Sequence, residues 1–135
     1  MKPLKILLVD DDKIQRIKFI KVCKENKSTN TIVEAENGEK ALLLLDDNTK
    51  PYDLIISDLN MPRMNGFEFL LKLKKSNKFK NIPVVIMSTS NNKLDLKKCF
   101  DIGISGYFTK PLKYSEYSKK VTSLLEYWAK SEVVC

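Results

Sequence analysis

Four apolar runs in this chain of 135 residues stop at polar side chains of complementary chemistry. Asp10 and Asp11 follow residues 4–9, Asp58 follows 53–57, Ser88 follows 83–87 and Lys110 follows 106–109. If these runs are strands of one parallel sheet, their carboxyl ends share an edge, and groups far apart in the chain meet there. Three carboxylates in a partly desolvated cleft raise one another's pKa unless a cation compensates them. A hard divalent ion answers that need. Oxygen ligands only, with no His in the chain and no paired Cys, favour Mg²⁺, which takes one or two carboxylates together with phosphate oxygens. Lys110 adds a second positive charge and Ser88 a hydroxyl donor. An anion fits between them, namely a phosphoryl group on Asp58. Taken singly, an Asp pair is an ordinary helix cap and a lone Ser or Lys after a strand means little. Coincidence at the matching ends of four strands is another matter.

The elements that must position these groups alternate along the chain. Strands are expected at 4–9, 31–35, 53–57, 83–87 and 106–109, the first nearly continuous in apolar character, as a parallel strand covered on both faces should be. Helices are expected between and after them. Residues 13–26 carry Ile14, Ile17 and Ile20 or Lys21 at helical spacing behind Asp12 as N-cap, and Asn37-Gly38 turns into a second helix with Ala41, Leu44 and Leu45 on its face. After a loop with Pro62 and Gly66, the third helix carries Phe67, Leu70, Leu71 and Leu73. The fourth covers 94–102 and stops at Gly103, and the fifth, after Pro111, carries Tyr117, Val121, Leu124 and Trp128. Trp128 is read as core packing, with a dimer or partner surface as the alternative. Five strands alternating with five helices imply a doubly wound α/β fold, with helices on both faces of a five-stranded parallel sheet.

Composition narrows the class further. The length suits one domain, 1–135 with its core at about 4–128, and 43% hydrophobic with 30% charged residues is the balance of a soluble globular protein. No apolar run approaches the roughly 20 residues of a membrane span, and Met1 runs directly into the first strand without a signal cleavage site, so a cytoplasmic address is expected. The net charge of +7 invites a nucleic-acid reading, but the lysines are scattered over 72–80, 93–98 and 110–120 without a compact basic helix. A solvated lysine-rich surface is the better account. Cys23, Cys99 and Cys135 are odd in number and lack metal-ligand spacing; Cys23 and Cys99 are read as reduced, packed thiols.

Leu8-Val9-Asp10-Asp11, Ile55-Ile56-Ser57-Asp58-Leu59-Asn60-Met61-Pro62, Met64-Asn65-Gly66, Met87-Ser88 and Gly106-Tyr107-Phe108-Thr109-Lys110-Pro111 together resemble the two-component response regulator receiver family. The resemblance runs from about Lys5 to Trp128, is closest to stand-alone regulators of the chemotaxis type, and implies the flavodoxin-like strand order 2-1-3-4-5. It also implies roles. Asp58 would be phosphorylated by a sensor histidine kinase or a phosphotransfer protein, forming an aspartyl phosphate. Asp11, Asp58 and the backbone carbonyl of Asn60 would hold Mg²⁺, with Asp10 assisting. Lys110 would pair with Asp58 and then with the phosphoryl oxygens. Ser88 would move to bond the phosphoryl group, and Tyr107 would turn inward behind it. The Lys110–Pro111 bond would be cis. Thr89 stands where the family more often has Ala or Gly, which would tighten access, and Asn65 replaces a commoner Asp.

On this reading the chain is a phosphoacceptor and not an enzyme, beyond self-phosphorylation and autodephosphorylation. Only about seven residues lie beyond Trp128, so no output domain is expected. The signal would leave through the fourth helix, fifth strand and fifth helix, to a downstream protein, along a phosphorelay or into a homodimer. Two other classes compete. A Mg²⁺-dependent phosphatase with an aspartyl nucleophile would place a second acid two residues on, where Asn60 stands, and would need a cap. A flavodoxin-like cofactor binder would have to seat a flavin phosphate against Asp10 and Asp11.

Overall fold

The computed structural model describes residues 3–47 and 50–131; Cys135 lies outside them. The elements alternate as β1 (Lys5–Val9), α1 (Lys13–Glu25), β2 (Thr31–Ala35), α2 (Gly38–Asp46), β3 (Leu54–Ser57), α3 (Gly66–Lys75), β4 (Val84–Ser88), α4 (Lys93–Ile102), β5 (Gly106–Thr109) and α5 (Tyr114–Lys130). The strands form one parallel sheet in the order β2-β1-β3-β4-β5. Successive strands are laid on one side of β1 and then on the other, so the order reverses between β1 and β3, where such folds open a crevice.

The strands are apolar on both faces because helices cover both. Leu7, Val9, Ile55, Val84 and Ile86 face a core completed by Ala41, Leu45, Phe69, Leu70, Leu73 and Cys99 from α2, α3 and α4. Ile6, Leu8, Leu54, Ile56, Val85 and Met87 face Phe19, Val22 and Cys23 of α1 and Tyr117, Val121, Leu124 and Leu125 of α5. Alternate residues of each strand thus serve opposite layers, as the period of two requires. Burial pushes the thiols of Cys23 and Cys99 up to about 11, which suits packed, unreactive groups.

Helix starts follow side-chain chemistry. Asp12 Oδ1 accepts from the Ile14 N–H at 2.9 Å, Asn37 Oδ1 from Lys40 N at 2.9 Å and Asn92 Oδ1 from Leu94 N at 2.8 Å. Asn65, which had no assigned role, closes a capping box: its Oδ1 accepts from Glu68 N at 3.0 Å while Glu68 Oε1 accepts from Asn65 N at 3.1 Å. Gly103 ends α4 at φ 119°, a left-handed conformation that favours glycine.

Several sequence expectations need correction. The buried stripe of α1 is Phe19, Val22 and Cys23, whereas Ile14 and Ile17 are 67% and 51% exposed. Both sets have helical spacing; the phenyl ring removes more apolar area from water than any Ile, and its stripe packs against α5. In α3 the stripe is Phe69, Leu70 and Leu73, leaving Leu71 exposed and Phe67 half-buried. Leu44 is half-buried rather than core, and Trp128 is half-buried against the α1–α5 core, its ring edge-on to Tyr127 at 5.1 Å. The Lys110–Pro111 bond is trans, the isomer favoured in an X–Pro bond by about 0.5–1 kcal/mol.

The two α1 stripes can be told apart in solution. Phe19→Ala is expected to lower the unfolding free energy by about 3–5 kcal/mol and Ile14→Ala by no more than about 0.5 kcal/mol. Urea denaturation with equal losses in the two variants would contradict this orientation of the helix.

Candidate functional site

Backbone hydrogen bonds carry the sheet ladder one step past the strand ends and bring the polar groups level. Asp10 N donates to Ala35 O at 3.1 Å, Asp58 N to Val9 O at 3.0 Å and Lys110 N to Ser88 O at 2.7 Å. Asp10, Asp58 and Lys110 therefore meet because β1, β3, β4 and β5 are in parallel register, and the side chains follow from the backbone.

Asp10 is only 4% exposed and fully engaged. Its Oδ1 accepts from Asp12 N at 3.0 Å, its Oδ2 from Lys110 Nζ at 2.8 Å and its carbonyl from Arg16 Nη1 at 2.6 Å. Asp58 Oδ1 accepts from Leu59 N at 2.7 Å, and Oδ2 lies 3.6 Å from Lys110 Nζ. Lys110 thus leans toward Asp10, although the resemblance paired it with Asp58. Asp11 is exposed at the rim. One carboxylate oxygen from each of Asp10, Asp11 and Asp58 falls within 4.8 Å of the others.

The carboxyl of Asp58 is raised above its ordinary pKa. Burial is the largest cause; the Lys110 charge opposes it, the Asp10 charge adds to it, and the N–H groups of Leu59 and Asn60 pull it back down. Sequence reasoning blamed the neighbouring carboxylates first, but desolvation outweighs them. A cation beside Asp58 and Asp11 would relieve both pressures. The donor set suits a hard ion: it is all oxygen, and because Asp10 Oδ1 and Oδ2 already accept from Asp12 N and Lys110 Nζ, Asp11 and Asp58 would be the more open ligands. Asn60 is exposed on the following loop beside them.

Ser88 is fully buried at the end of β4, and its Oγ accepts from Ser90 N at 3.2 Å. The Tyr107 hydroxyl donates to Ser90 O at 2.8 Å, with its ring already against the α2–α3–α4 core and its pKa raised mainly by burial. Thr89 is exposed just past the strand.

The structure adds residues that sequence reasoning missed. Ser90 clasps both Ser88 and Tyr107, and its Oγ donates to Asp95 Oδ2 at 3.0 Å. Arg16 spans from the Asp10 carbonyl to Glu34 Oε1 at 3.0 Å, a cross-brace whose only sequence signal is a charged residue one turn into α1. Gly66 sits so close that a Cβ there would lie 2.4 Å from Asp58 O and 2.7 Å from Leu59 Cα. Gln15 Oε1 is buried without a partner and lines a cavity of about 10 Å³ beside Asp10, Asp58 and Lys110, large enough for about one water.

The family model described as "Response regulator receiver domain" matches residues 6–122. This chain belongs to the response regulator receiver family. Among curated proteins, it is 39% identical over 132 residues to the two-component response regulator ARR17 of Arabidopsis thaliana, covering 90% of this chain and 85% of that one. It is 31% identical over 122 residues to the chemotaxis protein CheY1 of Helicobacter pylori, covering 90% and 97%. Among solved structures, the phosphorylated cyanobacterial phytochrome response regulator RcpA superposes with a TM-score of 0.92 at 29% identity, over 98% of this chain and 99% of that one. The receiver fold and strand order inferred from the sequence are therefore those of the structure.

Two measurements test the electrostatics and packing of this receiver site. Because the folded-state pKa of Asp58 is raised, the native state holds its proton to higher pH than the unfolded chain does, so stability falls as pH rises through the folded value. Asp58→Asn removes that penalty. In metal-free buffer it should be more stable than the parent at pH 7, and the gap should close below the ordinary carboxylate pKa; a gap independent of pH would refute the assignment. Gly66→Ala should lose about 1–3 kcal/mol by forcing α3 off the Asp58 backbone, read as a lower urea midpoint at unchanged slope.

Proposed function

We propose that this receiver accepts a phosphoryl group on Asp58 from the phosphohistidine of a sensor histidine kinase or phosphotransfer protein. The phosphoryl-bearing form then signals by protein contact. The observation that carries the reading is the position of Asp58: a half-buried carboxyl at a strand end, between the Asp10–Asp11 pair and Lys110 Nζ at 3.6 Å. An Asp58 oxygen attacks phosphorus, the new O–P bond forms as the P–N bond to the partner's imidazole breaks, and the imidazole leaves as the neutral base once protonated. Asp11, Asp58 and the Asn60 carbonyl, with Asp10 assisting, would hold Mg²⁺, which when bound would supply positive charge for the phosphoryl oxygens. Lys110 neutralises a further oxygen by shifting from Asp10 toward Asp58, a movement that the distances of 2.8 and 3.6 Å make short. The resident charges are those of a phosphoacceptor, with turnover limited to self-phosphorylation and autodephosphorylation.

The signal leaves through α4, β5 and α5. To reach a phosphoryl group on Asp58 the Ser88 side chain would move, disturbing the contact that its Oγ accepts from Ser90 N, and the Ser90 carbonyl is what holds Tyr107. The three residues form one unit, so a new bond at Ser88 biases the packing of Tyr107 and the adjacent faces of α4 and β5. That surface would meet a downstream protein, a phosphorelay partner or a second copy. Among the described residues, no helix is long and apolar enough to cross a membrane, and we place the exchange in the cytoplasm.

Incubation with acetyl phosphate and Mg²⁺ should add one phosphoryl group, and Asp58→Asn should abolish it; equal labelling of that variant would sink the reading. Asp11→Ala should weaken Mg²⁺ binding by about tenfold or more, whereas Asp12→Ala, which removes only the α1 cap, should leave it close to the parent. Ser88→Ala should still be labelled yet lose the NMR shift changes at Tyr107 and α4. Identical shift changes in Ser88→Ala and the parent would remove Ser88 from the coupling.

A further inference from the structure

Away from the phosphoacceptor edge, α3 and α4 enclose an open groove of about 620 Å³. Leu71 from α3 and Leu94 and Ile102 from α4 give it an apolar lining, with Leu94 76% exposed. Leu94 and Ile102 are eight residues apart, about 12 Å along the helix, the span of apolar positions i, i+4 and i+7 on a partner helix. The rim is charged with one dominant sign. Lys74, Lys75, Lys97 and Lys98 surround the groove against a single carboxylate, Asp101. Several of these lysines are fixed: Lys74 Nζ donates to Lys80 O at 3.1 Å, Lys97 pairs with Asp101 at 3.0 Å, and Lys98 Nζ stands 4.2 Å over the Phe67 ring. Their stems stay beside the apolar lining with the charges at the edges.

We infer that the α3–α4 groove docks an acidic amphipathic helix of another protein on the α3 side of α4, and that the unphosphorylated protein is competent to bind it. Leucine-type side chains of the helix fill the space over Leu71, Leu94 and Ile102, and Asp or Glu on its flanks meets the lysines. A second copy of this chain is the wrong occupant, since it would set lysine rim against lysine rim. The apolar lining is narrow and flanked by lysines from both helices, the pattern of a helix's apolar stripe with acidic flanks, and a lipid surface is the outcome that the vesicle arm of the test separates from it.

The test uses full-length, unphosphorylated protein, so it does not depend on the role of Asp58. The probe is a set of labelled synthetic helices with Leu at i, i+4 and i+7 and Glu at flanking positions, offered in three registers and read by fluorescence anisotropy and amide NMR shifts. At least one should bind saturably, with shifts confined to α3 and α4 and affinity falling as salt is raised. Leu94→Ser and Lys75→Glu, both at exposed positions, should each weaken it by about tenfold. The proposal is overturned if no register binds, if Glu→Gln peptides bind equally well, or if the shifts fall on β5 and α5. Capture by phosphatidylserine vesicles, abolished by the same substitutions and without peptide binding, would overturn it in favour of a membrane.

Discussion

The structure turns on a buried carboxylate pair that shares one lysine. Asp10 and Asp58 stand at the ends of adjacent parallel strands, and Lys110, from across the sheet, reaches Asp10 at 2.8 Å and Asp58 at 3.6 Å. With side chains 6%, 16% and 7% exposed, these charges are largely withdrawn from water. Two carboxylates and one ammonium leave a net negative charge where solvation is weak, and such a cluster persists only if the fold holds it there. The parallel ladder does so, because each of the three backbones is hydrogen-bonded to a neighbouring strand at its first step beyond the sheet. The imbalance is also what makes the site responsive: an added cation lowers its energy, and an added anion becomes tolerable once that cation is present.

Much of the surrounding structure can be read as support for this arrangement. Arg16 braces the Asp10 carbonyl against Glu34, so the carboxylate keeps its place although α1 begins only three residues later. Gly66 lets the first turn of α3 press directly on the Asp58 and Leu59 backbone, and the Asn65–Glu68 box fixes where that turn begins. Asp58 is thus held from β1 on one side and from α3 on the other. Neither support touches the carboxyl oxygens, which leaves them available for chemistry.

The sheet and the site could be read from sequence for the same reason. A strand packed between helix layers is apolar in its central residues, so the first charged residue beyond it marks the sheet edge; Asp10, Asp58 and Lys110 each stand at such a point. Two caps were equally legible, Asp12 and Gly103, because they act through local geometry that residue type dictates, whereas Asn37 was legible only as part of a turn. Rotation of a helix about its own axis is a tertiary property. In α1 the sequence offers two apolar stripes, and only the packing of Phe19 and Val22 against Val121 and Leu124 selects between them. Leu71 misled for the same reason. Arg16 and Ser90 escaped notice because backbone groups carry their contacts at the site: Arg16 reaches the Asp10 carbonyl, and Ser90 acts through its own N–H and carbonyl, which have no residue-type signature.

Ser90 also explains why Tyr107 is packed before any phosphoryl group is considered. Its carbonyl offers the phenolic hydroxyl a partner at 2.8 Å, and burying that hydroxyl unpaired would be costly. Burying the ring alone is favourable, so the inward position needs nothing from Asp58 to exist. A modification at the site can then only alter its relative population, in proportion to how differently the two packings bind the modified group. In the proposed mechanism Ser88 would supply that difference, since turning its side chain toward a phosphoryl group would displace the Oγ that now accepts from Ser90 N. On that proposal, the 3.2 Å hydrogen bond from Ser90 N to Ser88 Oγ is the contact through which a modification would act on Tyr107. The cluster of Asp10, Asp58 and Lys110 would in turn set how readily a phosphoryl group is accommodated.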